Sequence, residues 1–367
     1  MRSKLFREGG PYKIKQTGTD KYSMSIPMPT DEDGRVAREC PAGDCSPGYF
    51  KVKNGTGIVG GQTVAYCPYC RREAEPNDYT TKSQIEYGKQ VMMREAHEGI
   101  GNMVRDVFGI GSSGKRTFGG GMLKMEMTLK QGSRPSVHRP FEEALQRAII
   151  CPHCGLDHAV FGLAVWCADC GADIFLTHVQ TELAVVSTML ADVPRREQDL
   201  GRRIASRDIE NCLEDVVSIF EAVLRALFTR AMRLRGMPDE DLQNLLAKKI
   251  GNRFQNARLA AEIISREFGF SLYEGIEEPK IKTFAATFEK RHPITHNLGV
   301  VDRKYLDRMR SAEGEGREIF VTSNEITAAI DTASLIVTNL HGRLFPPALA
   351  AGTPEGSEPV VNTSLDS

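Results

Sequence analysis

Residues 151–171 read C-P-H-C-G-L-D-H-A-V-F-G-L-A-V-W-C-A-D-C-G, two C-x-x-C turns (Cys151 with Cys154, Cys167 with Cys170) set about an apolar run. Two thiolates two residues apart on a tight turn both reach one Zn2+ at about 2.3 Å, and a second such turn completes a tetrahedron. Pro152 presets the first turn, and Gly155 and Gly171 supply positive φ after each second ligand. The run 159–166 is expected as the strand between the two turns. The fold that follows is a zinc ribbon.

The same pattern occurs once more upstream. Cys40 with Cys45 is a C-x4-C pair, and Cys67-Pro68-Tyr69-Cys70 is a C-x-x-C knuckle, so eight of the nine cysteines come in pairs. The simplest pairing gives two separate four-cysteine sites, Cys40, Cys45, Cys67 and Cys70 in one and Cys151, Cys154, Cys167 and Cys170 in the other. Residues 49–53 and 63–66 are expected as the strands of the first. Disulfides are disfavoured in a reducing compartment, and four pairs are too many for one thioredoxin-like redox centre. His153 and His158 are spare donors and are expected to be exposed bystanders. Two structural Zn2+ ions are expected, and a closed four-cysteine site leaves no open position for catalysis. Cys212 stands apart in a helical pattern and reads as a small buried hydrophobe.

The chain has 367 residues, 41% apolar and 26% charged, with a formal net charge of -1. These values describe an ordinary globular protein of two or three domains and exclude a fibrous or wholly disordered chain. Near-neutral charge gives no global attraction to nucleic acid, so such a role needs a local basic surface. No apolar run reaches the length of a membrane helix. The N-terminus carries basic residues without an apolar core behind them, and a cytoplasmic location is expected.

Between and beyond the cysteines the pattern changes along the chain. Short strands are expected at 22–26 and 34–37, one or two helices over 81–108, a mobile glycine-rich loop over 109–121 and a strand at 122–129. Gly109, Gly114 and Lys115 match G-x-x-x-x-G-K, but Arg116 replaces the magnesium-binding hydroxyl and Gly119 to Gly121 forbid the following helix, which excludes a P-loop. Past the second ribbon the periodicity is helical: 177–190 with Pro194 as a break or bend, then Ile209, Cys212, Leu213, Val216, Val217, Phe220, Val223, Leu224, Leu227 and Phe228 at helical spacing. Pro238 with its acids starts a helix that Gly251 stops, and further helices are expected over 254–268 and 281–291, with a final one after Thr322. The fold class is multidomain α+β, zinc ribbons with small strands followed by an all-α bundle. The expected organisation is a first ribbon region over 1–80, a connector of helix, glycine-rich loop and strand over 81–148, the second ribbon over 149–176, a connecting helix over 177–205, a helical domain over 206–345 and a disordered tail over 346–367.

Late in the helical domain, residues 290–305 read K-R-H-P-I-T-H-N-L-G-V-V-D-R-K-Y. Arginine is a fixed cation matched to phosphate, and histidine titrates near neutral pH. Together they are the minimum for cleaving a phosphodiester without a metal. Pro293 is expected to break the helix at His292 and leave His296 on a loop or a new helix start. Arg225, Arg230, Arg233, Arg235, Lys248, Lys249, Arg253 and Arg258 add a regional basic excess suited to an RNA backbone, or equally to a solvated helix face.

This segment, in its all-helical setting, resembles the HEPN superfamily, four- or five-helix bundles carrying an Arg, four to six residues and a His. Arg291 and His296 meet that spacing, Asn297 follows the His, and Gly299-Val300-Val301-Asp302 matches the run that trails it. His292 stands where that family commonly has Asn. The resemblance spans roughly the last 150 residues before the tail. It implies an HEPN-like bundle and a metal-independent endoribonuclease that dimerises so that two Arg-His motifs face one cleft. In that setting His296 would activate the 2′-OH or protonate the leaving 5′-oxygen, Arg291 would stabilise phosphoryl charge, and His292 or Asn297 would orient the phosphate. The product would be a 2′,3′-cyclic phosphate. RNA and a second copy of the chain are the expected partners, with a regulatory protein as a further candidate and no membrane. The alternative is a non-catalytic module whose ribbons bind nucleic acid or protein and whose helical domain only dimerises.

Overall fold

The computed structural model describes residues 5–6, 8–19, 21–110, 114–120, 124–130, 132–309 and 314–346. The expected tail over 346–367 lies, save its first residue, outside them. The chain divides into two compact units, Met1–Ile174 and Phe175–Ser367. The coarse architecture matches the sequence reading, with small antiparallel sheets in the N-terminal part and helices in the C-terminal part.

The first unit contains β1 (Lys15–Gly18), β2 (Lys21–Ser23), β3 (Arg35–Glu39), β4 (Tyr49–Lys53), β5 (Ala65–Tyr66), β6 (Glu73–Ala74), α1 (Lys82–Phe108), β7 (Lys115–Phe118), β8 (Met125–Thr128), β9 (Arg147–Ile150) and β10 (Asp157–Val160). Helix α1 is one continuous helix, opened by a capping box in which the Thr81 hydroxyl accepts from Gln84 N–H and the Gln84 side chain accepts from Thr81 N–H. The glycine-rich 109–121 stretch is not wholly a loop, because β7 within it pairs with β8.

The two ribbons are not separate bodies. Strands β3, β4, β10 and β9 form one four-stranded antiparallel sheet in that order. Its central register pairs Phe50 with Val160, Lys51 with Ala159 and Val52 with His158. Exchanging the two halves about the Lys51–Ala159 pair turns Phe50–Val160 into His158–Val52, so the register is invariant to a local two-fold rotation. The knuckles repeat the symmetry. Tyr66 N–H donates to Ala168 O at 2.8 Å, and Trp166 N–H donates to Pro68 O at 3.1 Å. Tyr66 pairs with Glu73 across β5 and β6, as Trp166 bridges to Asp173. One core joins them, with Phe50, Tyr79, Ile149, Leu156 and Ile174 packed among Cys40, Cys67, Cys151 and Cys167. His158, expected to be exposed, is fully buried in this sheet, whereas His153 is exposed on its knuckle.

The second unit is α2 (Phe175–Leu200), α3 (Arg202–Leu234), α4 (Asp239–Asn244), α5 (Ala257–Phe268), α6 (Glu278–Asn297), α7 (Arg303–Met309) and α8 (Ser323–Leu344). A π-turn over Leu245–Ile250 and a 3-10 turn over Arg253–Gln255 join α4 to α5. Every apolar residue named for the long central helix, Cys212 included, is buried in α3, except that Ile209 is half-buried. Helices α2, α6 and α8 pack against it. Phe284 and Phe288, one turn apart on α6, both stack edge-on to Phe220 at 5.3 Å between ring centroids. That pair fixes which face of α6 is inward, and so where the Arg-His segment points.

Two prolines, Pro293 expected as a helix break and Pro194 as a break or a bend, lie inside helices. Pro194 sits within α2 and Pro293 within α6. A mid-helix proline costs ~3 kcal/mol through its lost N–H and ring clash. At Pro293 the surroundings offset that cost: Pro293 and Ile294 are buried, and the Thr295 hydroxyl donates to Glu214 Oε1 on α3 at 2.8 Å. Tertiary packing therefore overrides the local preference.

Candidate functional site

Two side-chain groups are candidate sites, one in each unit. In the first, the Sγ atoms of Cys40 and Cys70 lie 3.7 Å apart, as do those of Cys45 and Cys67. In the second group Cys151 and Cys170 are separated by 3.8 Å and Cys154 and Cys167 by 3.5 Å. Within each group of four, all Sγ atoms fall within 4.8 Å of one another. A tetrahedron with metal–sulfur bonds of about 2.3 Å has edges of about 3.8 Å, whereas a disulfide needs about 2.05 Å. The spacing fits zinc and not a disulfide. Both groups are those read from the sequence, and each could hold one Zn2+ ion.

Backbone geometry explains why the knuckles take this shape. Gly155, Gly171 and Arg71 follow second ligands at φ of 78°, 65° and 62°. Their N–H groups donate to the carbonyls of Cys151, Cys167 and Cys67 at 2.9, 3.1 and 3.0 Å. His153 and Asp169 N–H donate to Cys151 and Cys167 Sγ at 3.4 Å, a direction that favours thiolate. Arg71 takes the strained conformation without being glycine, and its guanidinium lies over the Trp166 ring at 4.4 Å. At the symmetry-related position only glycine fits, because a Cβ on Gly171 would come within 2.9 Å of the Tyr66 ring. Burial pushes the thiols of Cys67 and Cys167 well up, Cys45 up to about 12 and Cys154 up to about 11. A bound cation reverses that preference by taking the thiolate.

The second site lies on α6. Because the helix continues through Pro293, Arg291, His292, His296 and Asn297 all sit on it. His292 and His296, one turn apart, have ring centroids 5.1 Å apart. His296 is exposed and His292 half-buried. Asp302 closes the group: its Oδ2 lies 3.7 Å from His292 Nε2 and accepts from Asn297 Nδ2 at 3.0 Å. Its Oδ1 accepts from Tyr305 N–H at 2.8 Å and so caps α7. The Tyr305 N–H, together with Asn297 and His292, holds the Asp302 carboxyl below its ordinary value. Burial, with Lys304 and Arg308 nearby, holds His292 below the ordinary 6.5 despite Asp302. His292 is accordingly neutral at neutral pH and able to accept a proton.

Arg291 does not join this group within one chain. Five residues along an α-helix rotate by about 140°, so Arg291 and His296 point to different sectors. Arg291 Nη1 donates to Gln255 Oε1 at 2.9 Å, and its Nε is buried without a hydrogen-bond partner among the described residues. Gln255 Nε2 in turn donates to Glu221 Oε2 at 2.6 Å, and Glu221 meets Arg225 at 3.4 Å.

The Gly299-Val300-Val301-Asp302 run shapes the end of the site. Leu298 and Gly299 both take positive φ, at 53° and 86°, and Gly299 N–H donates to Pro293 O at 2.9 Å. Val301 is buried, its N–H donating to Arg317 O at 2.8 Å, which pins the loop and sets Asp302 in place.

The basic excess divides in two. Arg225, Arg233 and Arg258 pair with Glu221, Asp239 and Glu262, Arg235 donates to Glu267 O, and Arg230 lies over Phe345. Lys248, Lys249 and Arg253 are exposed, and among the described residues no carboxylate pairs with them. They lie on the segment that ends at Gln255, the partner of Arg291.

Comparison with protein-family models, curated proteins and solved structures found no match to this chain. Among the described residues no helix is long and apolar enough to cross a membrane. The residues that sequence reasoning did not single out are Asp302, in its role beside His292, and Gln255. Asp302 was visible as the first acid after the two histidines. Gln255 carried no signal, since its contact with Arg291 joins positions far apart in the chain.

Proposed function

We propose that the helical unit is an HEPN-like, metal-independent endoribonuclease and that the double ribbon recognises RNA or a partner protein. The supporting observation is the pairing of His292 and His296 on one face of α6 beside Asp302. One imidazole is kept neutral and half-buried, and the other is exposed. His292 removes the proton of a ribose 2′-OH, and O2′ attacks the adjacent phosphorus. The 5′-oxygen leaves with a proton from His296, giving a 2′,3′-cyclic phosphate and a free 5′-hydroxyl. Asp302 orients His292, as an acid beside a catalytic imidazole does. Arg291 neutralises the phosphoryl oxygens. Because it points away from its own His296, it serves the histidines of a second copy, in keeping with the paired motifs the resemblance implies. Lys248, Lys249 and Arg253 supply backbone contacts. The four-cysteine sites, if they hold zinc, are closed and take no part in the reaction.

The rival is a non-catalytic binding module, and one observation favours it: Arg291 is engaged by Gln255 and partly buried. Wild type, His292→Ala, His296→Ala and Arg291→Ala proteins incubated with single-stranded RNA, without added divalent ions, separate the two. The nuclease reading expects cleavage to fall by about 10²–10⁴-fold in each histidine variant, with a matched DNA strand uncut. Equal cleavage by all four proteins, or none by wild type across varied RNAs, rejects it. Repeating the assay in EDTA, with folding followed by circular dichroism, separates loss of zinc from loss of chemistry.

A further inference from the structure

The local two-fold symmetry of the double ribbon is broken at Arg38, and a pocket lies there. Arg38 precedes Cys40 by two residues, as Ile149 precedes Cys151, and the strand pairings agree: Arg38 faces Phe50, and Ile149 faces His158. Ile149 is 2% exposed and packs in the core. Packing at this position therefore asks for an apolar side chain, yet the first half carries a cation. Among the described residues no carboxylate pairs with Arg38, whose one hydrogen bond runs from Nη1 to Ala37 O at 3.1 Å. A guanidinium has five N–H donors, and a half-buried one without a counter-charge is costly unless something binds it.

The second departure from symmetry builds the walls. The link between β10 and its knuckle is short, whereas that between β4 and β5 is long and folds back over the sheet. Asp169, whose mate is Tyr69, fastens that loop by accepting from Ile58 N–H at 2.6 Å and from the Gln62 side-chain amide. Gly57 is required there, since any Cβ would collide with the Asp169 carboxylate. The result is a pocket of about 130 Å³ lined by Arg38, Phe50, Lys53, Thr56, Gln62 and Asp169, among others. Both Asp169 oxygens already meet loop donors, so its charge is largely spent on the loop. Lys53, 42% exposed and only loosely paired with Asp157 at 3.8 Å, adds a second cation.

We propose that this pocket, between the ribbon sheet and the 54–62 loop, binds a phosphate-class oxyanion on the Arg38 guanidinium. A tetrahedral oxyanion fits the volume, and its oxygens match the guanidinium fork. The anion is either free phosphate or a phosphate of RNA. The inference does not depend on the ribonuclease reading, since the pocket and histidine pair lie in different units.

The test uses the full zinc-loaded chain and calorimetric titration with three probes: inorganic phosphate, a short RNA with a 5′-phosphate and the same RNA with a 5′-hydroxyl. Wild type binds phosphate saturably, and Arg38→Met binds at least about ten-fold more weakly, the loss typical of a charged hydrogen bond. Arg38→Met keeps its zinc content and unfolding temperature, because an apolar side chain suits the symmetric position. RNA binding tighter than phosphate and sensitive to Arg38→Met assigns the anion to nucleic acid, and binding of phosphate alone assigns it to the free ion. No saturable binding of any probe by wild type, or equal binding by Arg38→Met, overturns the proposal. Should Arg38→Met lose its zinc, phosphate titration of wild type is read in the arginine Nε–Hε NMR resonances. A guanidinium shift upholds the proposal, and its absence overturns it.

Discussion

Removing thiols from the second four-cysteine group should weaken zinc binding at the first, although no ligand is shared between them. The perturbation is Cys167→Ser with Cys170→Ser, which leaves Cys40, Cys45, Cys67 and Cys70 untouched. Tyr66 N–H to Ala168 O (2.8 Å), Val165 N–H to Pro68 O (2.9 Å) and Trp166 N–H to Pro68 O (3.1 Å) join the halves. The Tyr69 hydroxyl adds a fourth, accepting from Phe161 N–H at 2.8 Å while it donates within its own half to Tyr49 O at 2.8 Å. At about 1 kcal/mol net each, the four bonds between the halves come to about 4 kcal/mol before the common core is counted. Metal binding and folding are coupled in such small sites, so an unfolded second half removes that support from the first. At 1.4 kcal/mol per decade, about 4 kcal/mol corresponds to nearly three decades of zinc affinity. A chelator-competition titration of wild type and the double variant reads the affinity of the remaining site. Two independent ribbons would leave that affinity within ten-fold of wild type, and this result would refute the single-body description.

Gly171→Ala should destabilise the first unit by about 2–3 kcal/mol in chemical denaturation, through left-handed strain and collision with the Tyr66 ring. Arg71→Gly should be near neutral, since relief of about 1 kcal/mol is offset by a lost cation–π contact of similar size. Leu298→Gly should raise stability by about 1 kcal/mol, because Leu298 is exposed at φ of 53° and contributes little packing. For His292 the folded pKa lies below the unfolded 6.5, so the unfolded state takes up protons first as pH falls. Its contribution is complete above 6.5 and is lost as pH drops through the lowered value. Urea midpoints at pH 7.5 and 5.5 should therefore fall further in wild type than in His292→Gln; a larger fall in the variant would mean that Asp302 dominates the histidine.

Both four-cysteine groups were legible because knuckle spacing is a local constraint: Cys67-Pro68-Tyr69-Cys70 fixes its own turn wherever it sits. What joins the groups was not, since β4 and β10 pair residues more than a hundred positions apart and nothing in Phe50 or Val160 names its partner. His158 was misjudged for the same reason, because its burial comes from strands on both sides. The helices of the second unit were readable from apolar periodicity, down to Phe220 and Phe228 on α3. Their ends were less so. Pro293 was read as a break because its local cost is plain in sequence, whereas the compensating Thr295–Glu214 bond belongs to the folded bundle. The Arg-His segment was found by composition, but Gln255 as the partner of Arg291 could come only from tertiary geometry.

That continuity of α6 decides what kind of active site the chain could form. Had the helix broken at His292, a loop could have swung His296 toward its own Arg291. On an unbroken helix the two diverge by about 140°, and a phosphate held between His292 and His296 lies away from the arginine of the same chain. On the proposed nuclease reading a working site would then draw its arginine from a second copy, and mixing two inactive chains tests this. In a dimer of one Arg291→Ala and one His296→Ala chain, one of the two arginine-to-histidine pairings across the shared cleft carries both lesions and the other carries neither. Random pairing makes about half of the dimers mixed, each with one intact pairing of two, so RNA cleavage should recover to about a quarter of the wild-type rate. A site built within one chain recovers nothing on mixing. That outcome would require Arg291 to leave Gln255 and cross the helix face, which Gln255→Ala should then accelerate.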